Sequence, residues 1–165
     1  MGQFATLRDA YLHELKDLHS AESQLTKALP KLVRAAESEA LRDAFEAHLE
    51  ETQRHLELVE GLLSAMGETK GREKCKGMEG LIEEGAKLIS ENEPGPVLDA
   101  AIIAAAQRVE HYEIAAYGSA RAFAEALGET EAVAVLTEIL EQESAADDKL
   151  TTLAAGGINE EAVAG

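Results

Sequence analysis

Apolar residues recur along most of this chain at steps of three and four, the spacing that places them on one face of an α-helix. The first such segment begins near Thr6, whose distance in sequence from Asp9 is that of a capping box, and it continues to Leu32. Pro30 removes one backbone hydrogen bond, but the apolar period continues beyond it, so we expect a bend rather than an end. The pattern predicts a first long helix that ends before Glu37-Ser38.

Three more segments of this kind follow, each closed by a glycine that can end a helix. Ser38 and Thr130 can cap the second and fourth helices, and Pro96 suits the first turn of the third. Between the second and third helices, residues 67–77 carry glycine and charge without an apolar period, and residues 78–89 form a short amphipathic stretch. The predicted long helices after the first extend from Ser38 to about Met66, from Pro96 to Leu127 and from Thr130 to about Ala155.

The order of these elements indicates the fold class. Short connections join the first helix to the second and the third to the fourth, so each pair should form an antiparallel hairpin. The long connection between the hairpins is typical of ferritin-like bundles with one crossover. We predict an all-α, ferritin-like antiparallel four-helix bundle whose long crossover carries a short extra helix. One domain should span residues 1–155, and residues 156–165 should form a short flexible C-terminal tail.

Charge and composition narrow the function. The sequence has 15 Lys plus Arg against 32 Asp plus Glu, a formal net charge of −17, which opposes binding to nucleic acid or anionic membranes. No segment approaches the ~18 apolar residues of a membrane span, and the N-terminus lacks the pattern of a secretion signal. The single Cys75 lies in a predicted polar loop and cannot form an internal disulfide, which indicates a reducing cytoplasm. We therefore expect a cytoplasmic protein whose partners are cations.

Charged residues interrupt the apolar face near the middle of every long helix. A carboxylate buried among leucines costs several kcal/mol unless it is protonated, paired or bound to metal. The separation in sequence between Glu22 and His55 equals that between Glu110 and Glu143, as expected if both hairpins place these residues at one height. The pattern predicts one shared polar site in the core.

A pair of metal ions would neutralise such a site. Four or more carboxylates in a core cannot all remain ionised without cations, and two divalent ions would balance four charges. Oxygen ligands with one or two imidazoles suit iron or manganese, whereas the absence of a cysteine ligand argues against structural zinc. The predicted ligands are Glu22, His48, Glu51, His55, Glu110, Glu113, Glu143 and Asp147.

Alternatives stay open for individual residues. His48 and His55 can instead be hydrogen-bonded core residues. Glu51, Glu113 and Asp147 can support the ligands rather than bind metal. The tyrosines of the third long helix are more often packing residues than redox residues.

Four runs of residues carry a resemblance to a known family. They are Ala21-Glu22-Ser-Gln-Leu, the run from His48 through Glu51-Thr52 to His55, the run Arg108-Val-Glu110-His111-Tyr112-Glu113-Ile-Ala-Ala-Tyr117, and Glu143 with Asp147-Asp-Lys-Leu150. Together they resemble the YciF-like family of bacterial stress-associated proteins over roughly residues 4–155. The resemblance implies a ferritin-like bundle and a homodimer, with a biochemical activity that is poorly defined across the family.

A wider similarity is to rubrerythrins and bacterioferritins, in which the first and third helices each give one Glu and the second and fourth each give Glu-x-x-His. Glu22 and Glu110 match this pattern, and Glu113 resembles the additional carboxylate of rubrerythrin. On the second helix the Glu and His are four rather than three apart, and on the fourth an aspartate replaces the histidine. Peroxidase or ferroxidase activity therefore does not transfer directly. A reductive cycle would also need an external electron donor, because rubrerythrin's cysteine-ligated domain is missing.

Two functions from different classes follow. The first is a di-iron or di-manganese oxidoreductase, peroxidase-like or oxidase-like, that acts on peroxide, oxygen or free metal under stress. The second is a non-catalytic dimeric bundle that binds a partner and keeps the polar cluster for structural specificity. Substitution of Glu22 by alanine separates them, since only the first function predicts loss of metal.

Overall fold

The structure, a computed structural model, describes residues 4–165; Met1 to Gln3, part of the predicted domain, lie outside it. Most of the described chain is helical and no strand occurs within residues 4–165, so the all-α prediction is confirmed. The helices are α1 (Leu7–Ala35), α2 (Glu39–Ala65), α3 (Lys76–Glu91), α4 (Pro96–Ala126), α5 (Thr130–Leu153) and α6 (Asn159–Ala164), with a π-helical turn at Ala154–Ile158.

The predicted starts of the first two helices are confirmed. The Thr6 hydroxyl accepts a hydrogen bond from the Asp9 amide at 3.2 Å, and the Asp9 carboxylate accepts one from the Thr6 amide at 2.8 Å, which completes the capping box. At the start of α2, the Ser38 hydroxyl accepts from the Leu41 amide at 3.4 Å. Pro30 lies inside α1, which continues beyond it as predicted.

The structure differs from the predictions at two places. α5 begins at Thr130 itself, with Glu129 in the cap position and no side-chain cap, so the predicted Thr130 cap is wrong. The segment predicted as a flexible tail is mostly helical, and Ile158 within it is only 7% exposed. The chain turns there because Gly157 adopts a φ of 146°, which residues with a Cβ rarely do. Burial of Ile158 thus ties the C-terminal segment to the core.

Two antiparallel hairpins, α1 with α2 and α4 with α5, form the bundle. α1 also packs against α4, and α2 against α5, while α3 in the crossover lies on α4 and α1. This is the predicted four-helix arrangement with one long crossover that carries an extra helix. None of the helices in residues 4–165 is long and apolar enough to cross a membrane.

The apolar core is divided into two clusters. The cluster that includes the start of α4 contains, among others, Leu25, Leu29, Leu41, Phe45, Ile103 and Leu150. The cluster at the other end of the bundle contains, among others, Leu15, Leu18, Val59, Tyr117, Leu136 and Ile139. On each long helix, the charged residues singled out in the sequence lie where the residues of one cluster give way to those of the other; on α1, Glu22 directly follows Ala21, the first residue of its cluster on that helix. The fold therefore places them at mid-height in the bundle.

A buried carboxylate holds the turn between α1 and α2. Asp99 on α4 is 2% exposed and accepts hydrogen bonds from the amides of Glu37 at 2.9 Å and Ser38 at 2.8 Å. These amides precede α2 and have no helical acceptor, so the carboxylate satisfies groups that the turn leaves free. This contact joins residues far apart in sequence and fixes the first hairpin to α4.

Candidate metal centre

A band of buried ionisable side chains crosses the bundle between the two apolar clusters. The helical period turns them inward: Glu110 and Glu113 are three residues apart on α4, and His48 and His55 are two turns apart on α2. Every member is at most 7% exposed. The polar band consists of Glu22 from α1, His48 and His55 from α2, Glu110 and Glu113 from α4, and Glu143 from α5.

Glu143 is approached by both histidines of the band. Nδ1 of His55 lies 2.8 Å from its Oε1 atom, and Nε2 of His48 lies 3.8 Å from its Oε2 atom. The two carboxylate oxygens thus face different imidazoles. The donors form two groups that share Glu143: the His48 group is His48, Glu110, Glu113 and Glu143, and the His55 group is Glu22, His55 and Glu143.

Within each group the donor atoms are close enough to surround one ion. One nitrogen or oxygen from each residue lies within 4.8 Å of the corresponding atoms of the others. Two ligand atoms on opposite sides of one ion, each about 2.0–2.2 Å from it, would lie up to ~4.4 Å apart. Small side-chain adjustments would therefore bring the donor atoms of each group into bonding range of one ion. Further close pairs are His48 Nε2 with Glu110 Oε1, at 2.8 Å, and His55 Nδ1 with Glu22 Oε1, at 3.6 Å.

These short separations are not aligned as hydrogen bonds. Buried polar atoms are hydrogen-bonded in most proteins, and an unsatisfied one costs about 1–3 kcal/mol. The convergence of this many unsatisfied atoms in one band is expected where side chains are arranged to bind cations. The atoms of the band without a hydrogen-bond partner are Glu22 Oε2, His48 Nε2, His55 Nδ1, Glu110 Oε2, both oxygens of Glu113 and both oxygens of Glu143.

Two neutral side chains that the sequence pattern did not assign to the site orient its members. Gln142 Oε1 lies 2.7 Å from Nε2 of His55; because an amide oxygen only accepts, Nε2 carries the hydrogen and Nδ1 is directed to Glu143. The Tyr117 hydroxyl donates a hydrogen bond to Oε1 of Glu22 at 2.5 Å. Gln142 directly precedes Glu143, off the inward face of α5 by the helical period, so periodicity gives no sign of it. Tyr117 lies on the inward face of α4, where an aromatic residue is ordinarily predicted to pack.

Burial and the neighbouring charges shift the pKa values of the band. Burial raises the pKa of Glu143 to about 7 although His55 acts to lower it. Burial, and then the negative charges of nearby glutamates, raise the pKa of Glu113 well above its usual range. Burial acts to lower the pKa of His55, but the carboxylates beside it outweigh that effect and raise the pKa to about 10. The pKa of His48 is raised in the same way, chiefly by Glu110 against the effect of burial. Without metal, the band therefore retains protons in place of cations.

Comparison with known proteins identifies the family. The family described as Domain of unknown function (DUF892) matches residues 6–163. The chain belongs to this family. Protein YciF of Escherichia coli (strain K12) is 49% identical to this DUF892 chain over 158 residues, which is 95% of this chain and 95% of YciF. The resemblance to the YciF-like family, predicted from the four sequence runs, is confirmed.

Solved structures of related proteins resemble this DUF892 chain. The crystal structure of the E. coli stress protein YciF has a TM-score of 0.90 and 48% identity, and the match covers 94% of this chain and 99% of that one. YcfI from Rhodopseudomonas palustris has a TM-score of 0.85 and 44% identity, and the match covers 89% and 94% of the respective chains. The predicted helical bundle is therefore confirmed both by the helices of this structure and by its similarity to these solved structures.

The structure of this DUF892 protein brings six of the eight predicted ligands into the polar band. Glu51 lies at its edge: its side chain is 44% exposed, and Oε2 lies 3.4 Å from Nδ1 of His48. Asp147 lies outside both donor groups, with Oδ2 at 3.1 Å from Nε2 of His111. Ligation by these two carboxylates stays a prediction. The geometry favours the supporting alternative for Glu51, which contacts the predicted ligand His48, whereas Asp147 contacts His111, which is not a predicted ligand.

Cys75 lies outside the band. Its sulfur caps α3 by accepting a hydrogen bond from the Met78 amide at 3.4 Å, and it also lies 3.0 Å from the Tyr112 hydroxyl and 3.2 Å from the Asp17 carboxylate. Burial raises the pKa of the thiol, which keeps it protonated and weakly nucleophilic. The predicted loop cysteine thus has a structural role at the start of the short helix.

Proposed function

We propose that this protein binds two iron or manganese ions in the polar band and uses them to act on peroxide or oxygen under stress. The observation that carries the proposal is the position of Glu143, whose two oxygens face two groups of buried donors without hydrogen-bond partners. In ferritin-like dinuclear sites, inward carboxylates and histidines of the four helices hold both ions. The relative YciF is a stress protein, which supports the assignment to stress.

The charges of the band fit two divalent ions. Its four glutamates carry four negative charges when ionised, and two divalent ions balance them. Carboxylate oxygens with imidazole nitrogens are the donor set that suits iron and manganese. The His55 group would hold one ion and the His48 group the other, with Glu143 common to both.

Bound iron or manganese would supply the electrons that reduce peroxide or oxygen. The chain's own residues hold the protons. His55 and Glu143, with pKa values of about 10 and about 7, must release protons when metal binds, because ligands bind in their deprotonated forms. Burial, and then the negative charge of Glu22, raise the pKa of Tyr117 well above its usual range, so the hydroxyl stays protonated and can keep its hydrogen bond to Glu22.

Metal content of the natively expressed protein tests the proposal. After anaerobic incubation with ferrous or manganous ions and desalting, elemental analysis should find about two ions per chain. Glu143→Gln should lose both ions, because it removes the carboxylate that the two groups share. Glu22→Gln and Glu113→Gln should each lose only one. Glu141→Gln changes an exposed glutamate on the same helix and should retain both ions.

The pattern of losses separates this proposal from the non-catalytic alternative. A wild-type protein that binds neither ion would support a bundle whose band is neutralised by protons alone. Equal loss in all three band variants would contradict the shared position of Glu143. Consumption of hydrogen peroxide by the loaded wild type, compared with Glu143→Gln and Glu141→Gln, then tests turnover separately from binding.

A further inference from the structure

A cavity of about 380 Å³ lies between α1, α2, α4 and α5, next to the polar band. This volume is in the range of about 300–1,000 Å³ that small-molecule sites occupy. Most of its wall is apolar, and the largest apolar side chains that form it are Leu25, Leu29, Leu32, Phe45, Val109 and Leu150. The cavity is therefore shaped for the apolar part of an organic molecule.

The cavity exists because small residues face each other where α2 approaches α5. Ala44 and Ala47 line it from α2, and Ala145 and Ala146 line it from α5. A methyl group at these positions fills less space than the leucine side chains that make up much of the two apolar clusters. The opening is thus encoded by alanines rather than by a loop.

The polar part of the wall belongs to the polar band. His48 and Glu110 line the cavity and are only 7% and 2% exposed. The Nε2 atom of His48 and the Oε2 atom of Glu110 face the polar band and have no hydrogen-bond partner. At the mouth, the exposed Asp43 and Lys149 carry opposite charges. A molecule inside the cavity would therefore meet an apolar wall along its length and, at one end, the side chains of His48 and Glu110, whose unsatisfied atoms face the polar band behind the wall.

We propose that this cavity binds an uncharged organic hydroperoxide, with its alkyl or aryl part against the leucines and its peroxide oxygens toward His48 and Glu110. An uncharged head group fits because two divalent ions would just balance the four glutamates, and because the net charge of −17 repels anions. Conversion of the hydroperoxide to its alcohol and water breaks the O–O bond and takes two protons from solvent and two electrons, which the two divalent ions of the proposed function would supply. This choice of substrate rests on the proposed function; binding in the cavity does not.

Binding is tested by titrating the full-length protein with N-phenyl-1-naphthylamine, an uncharged aromatic probe whose fluorescence rises in apolar sites. We expect saturable binding that 1-octanol displaces and octanoate does not. Ala44→Leu and Ala146→Leu should fill the cavity and weaken binding at least about tenfold. Ala134→Leu makes the same change at an exposed position of α5 and should leave affinity within about twofold. Thermal denaturation of each variant confirms that it is folded.

Turnover by the metal-loaded protein provides a second readout. Ala146→Leu should lower kcat/KM for cumene hydroperoxide at least about tenfold and leave that for hydrogen peroxide within about twofold, because the small oxidant needs no apolar cavity. Equal effects on the two oxidants, binding unchanged by both alanine variants, or equal displacement by octanoate would overturn the proposal. Metal binding without saturable probe binding refutes the cavity site alone. Saturable probe binding in a protein that takes up no metal refutes the proposed function and leaves the cavity site standing.

Discussion

The stability of the metal-free protein should fall as the pH rises through neutrality. Glu143 has an ordinary pKa of 4.5 and a pKa of about 7 in the folded protein. Below the ordinary value it is protonated in both the folded and unfolded states. As the pH rises from 4.5 to about 7, the unfolded chain releases this proton while the folded protein retains it, so folding becomes less favourable.

The size of the effect follows from the two pKa values. The difference between 4.5 and about 7 corresponds to roughly 3 kcal/mol in the free energy of unfolding. His55 acts in the same direction over a higher range, because its pKa rises from 6.5 to about 10 on folding and its stabilising charge is lost across that range. The pKa values of Asp9 and Glu51 are lowered in the folded protein, so the stability that these carboxylates contribute to folding is lost only at acidic pH. A range from about pH 5 to about pH 8 therefore avoids these carboxylates, and comparison with Glu143→Gln removes the contribution of Glu14, whose pKa is also raised, chiefly by burial.

Urea denaturation in the presence of a chelator measures this change. Between about pH 5 and about pH 8, which covers most of this titration, the free energy of unfolding of the wild type should fall by roughly 2.5 kcal/mol more than that of Glu143→Gln, which cannot titrate at this position. Glu141→Gln should behave like the wild type. Adding ferrous or manganous ions should stabilise the wild type most at the higher pH, because metal competes with protons for the ligands.

One result would refute the reasoning. If the metal-free wild type and Glu143→Gln changed stability equally with pH, the buried carboxylate would not retain its proton in the folded state. The same outcome would remove the argument that the band is built around charges that need neutralising. A larger fall in the free energy of unfolding with rising pH for Glu143→Gln than for the wild type would also contradict the prediction.

Three further predictions concern metal binding and packing. Ferrous or manganous ions at about one hundred times Kd should raise the free energy of unfolding by about 5 kcal/mol, roughly 2.7 kcal/mol for each of the two ions, measured by calorimetry, and Glu143→Gln should show no such rise. Asp99→Ala should lower the free energy of unfolding by about 2–3 kcal/mol in urea titrations, since it removes a charged acceptor for two backbone amides, yet leave the metal content unchanged. Gly77→Ala should destabilise the protein by about 1–3 kcal/mol, because the new Cβ would lie 2.5 Å from Cε2 of Tyr112; Gly80→Ala on the same helix has open space and should be neutral or stabilising.

Local sequence signals determined the helices. The capping box of Thr6 and Asp9 and the cap at Ser38 depend on residues within one turn of each other, so their effect is independent of the rest of the fold. Thr130 shows where such a signal fails: a threonine beside a glycine turn can occupy either the cap or the first helical position, and the backbone geometry at Glu129 decides between them.

The polar band was predictable as a set but not in its internal arrangement. Because the helical period is fixed, sequence alone placed Glu22, His55, Glu110 and Glu143 on inward faces at matching heights. Which oxygen faces which imidazole depends on the rotation and spacing of the helices, and sequence could not supply those. For the same reason Asp147, one turn from Glu143, could not be separated from the band until its approach to a neighbouring histidine was known.

What the sequence by itself determined is the order of the helices, their inward faces and the family, since each depends on short-range periodicity or on linear motifs. Only the tertiary structure decided the hydrogen bond between His55 and Gln142, the hydrogen bond from the turn before α2 to Asp99, and the cavity beside the band. These features join residues that are distant in the chain, and a glutamine, an aspartate or an alanine looks the same in sequence wherever it lies. Their function is set by what the fold brings within a few ångströms of them.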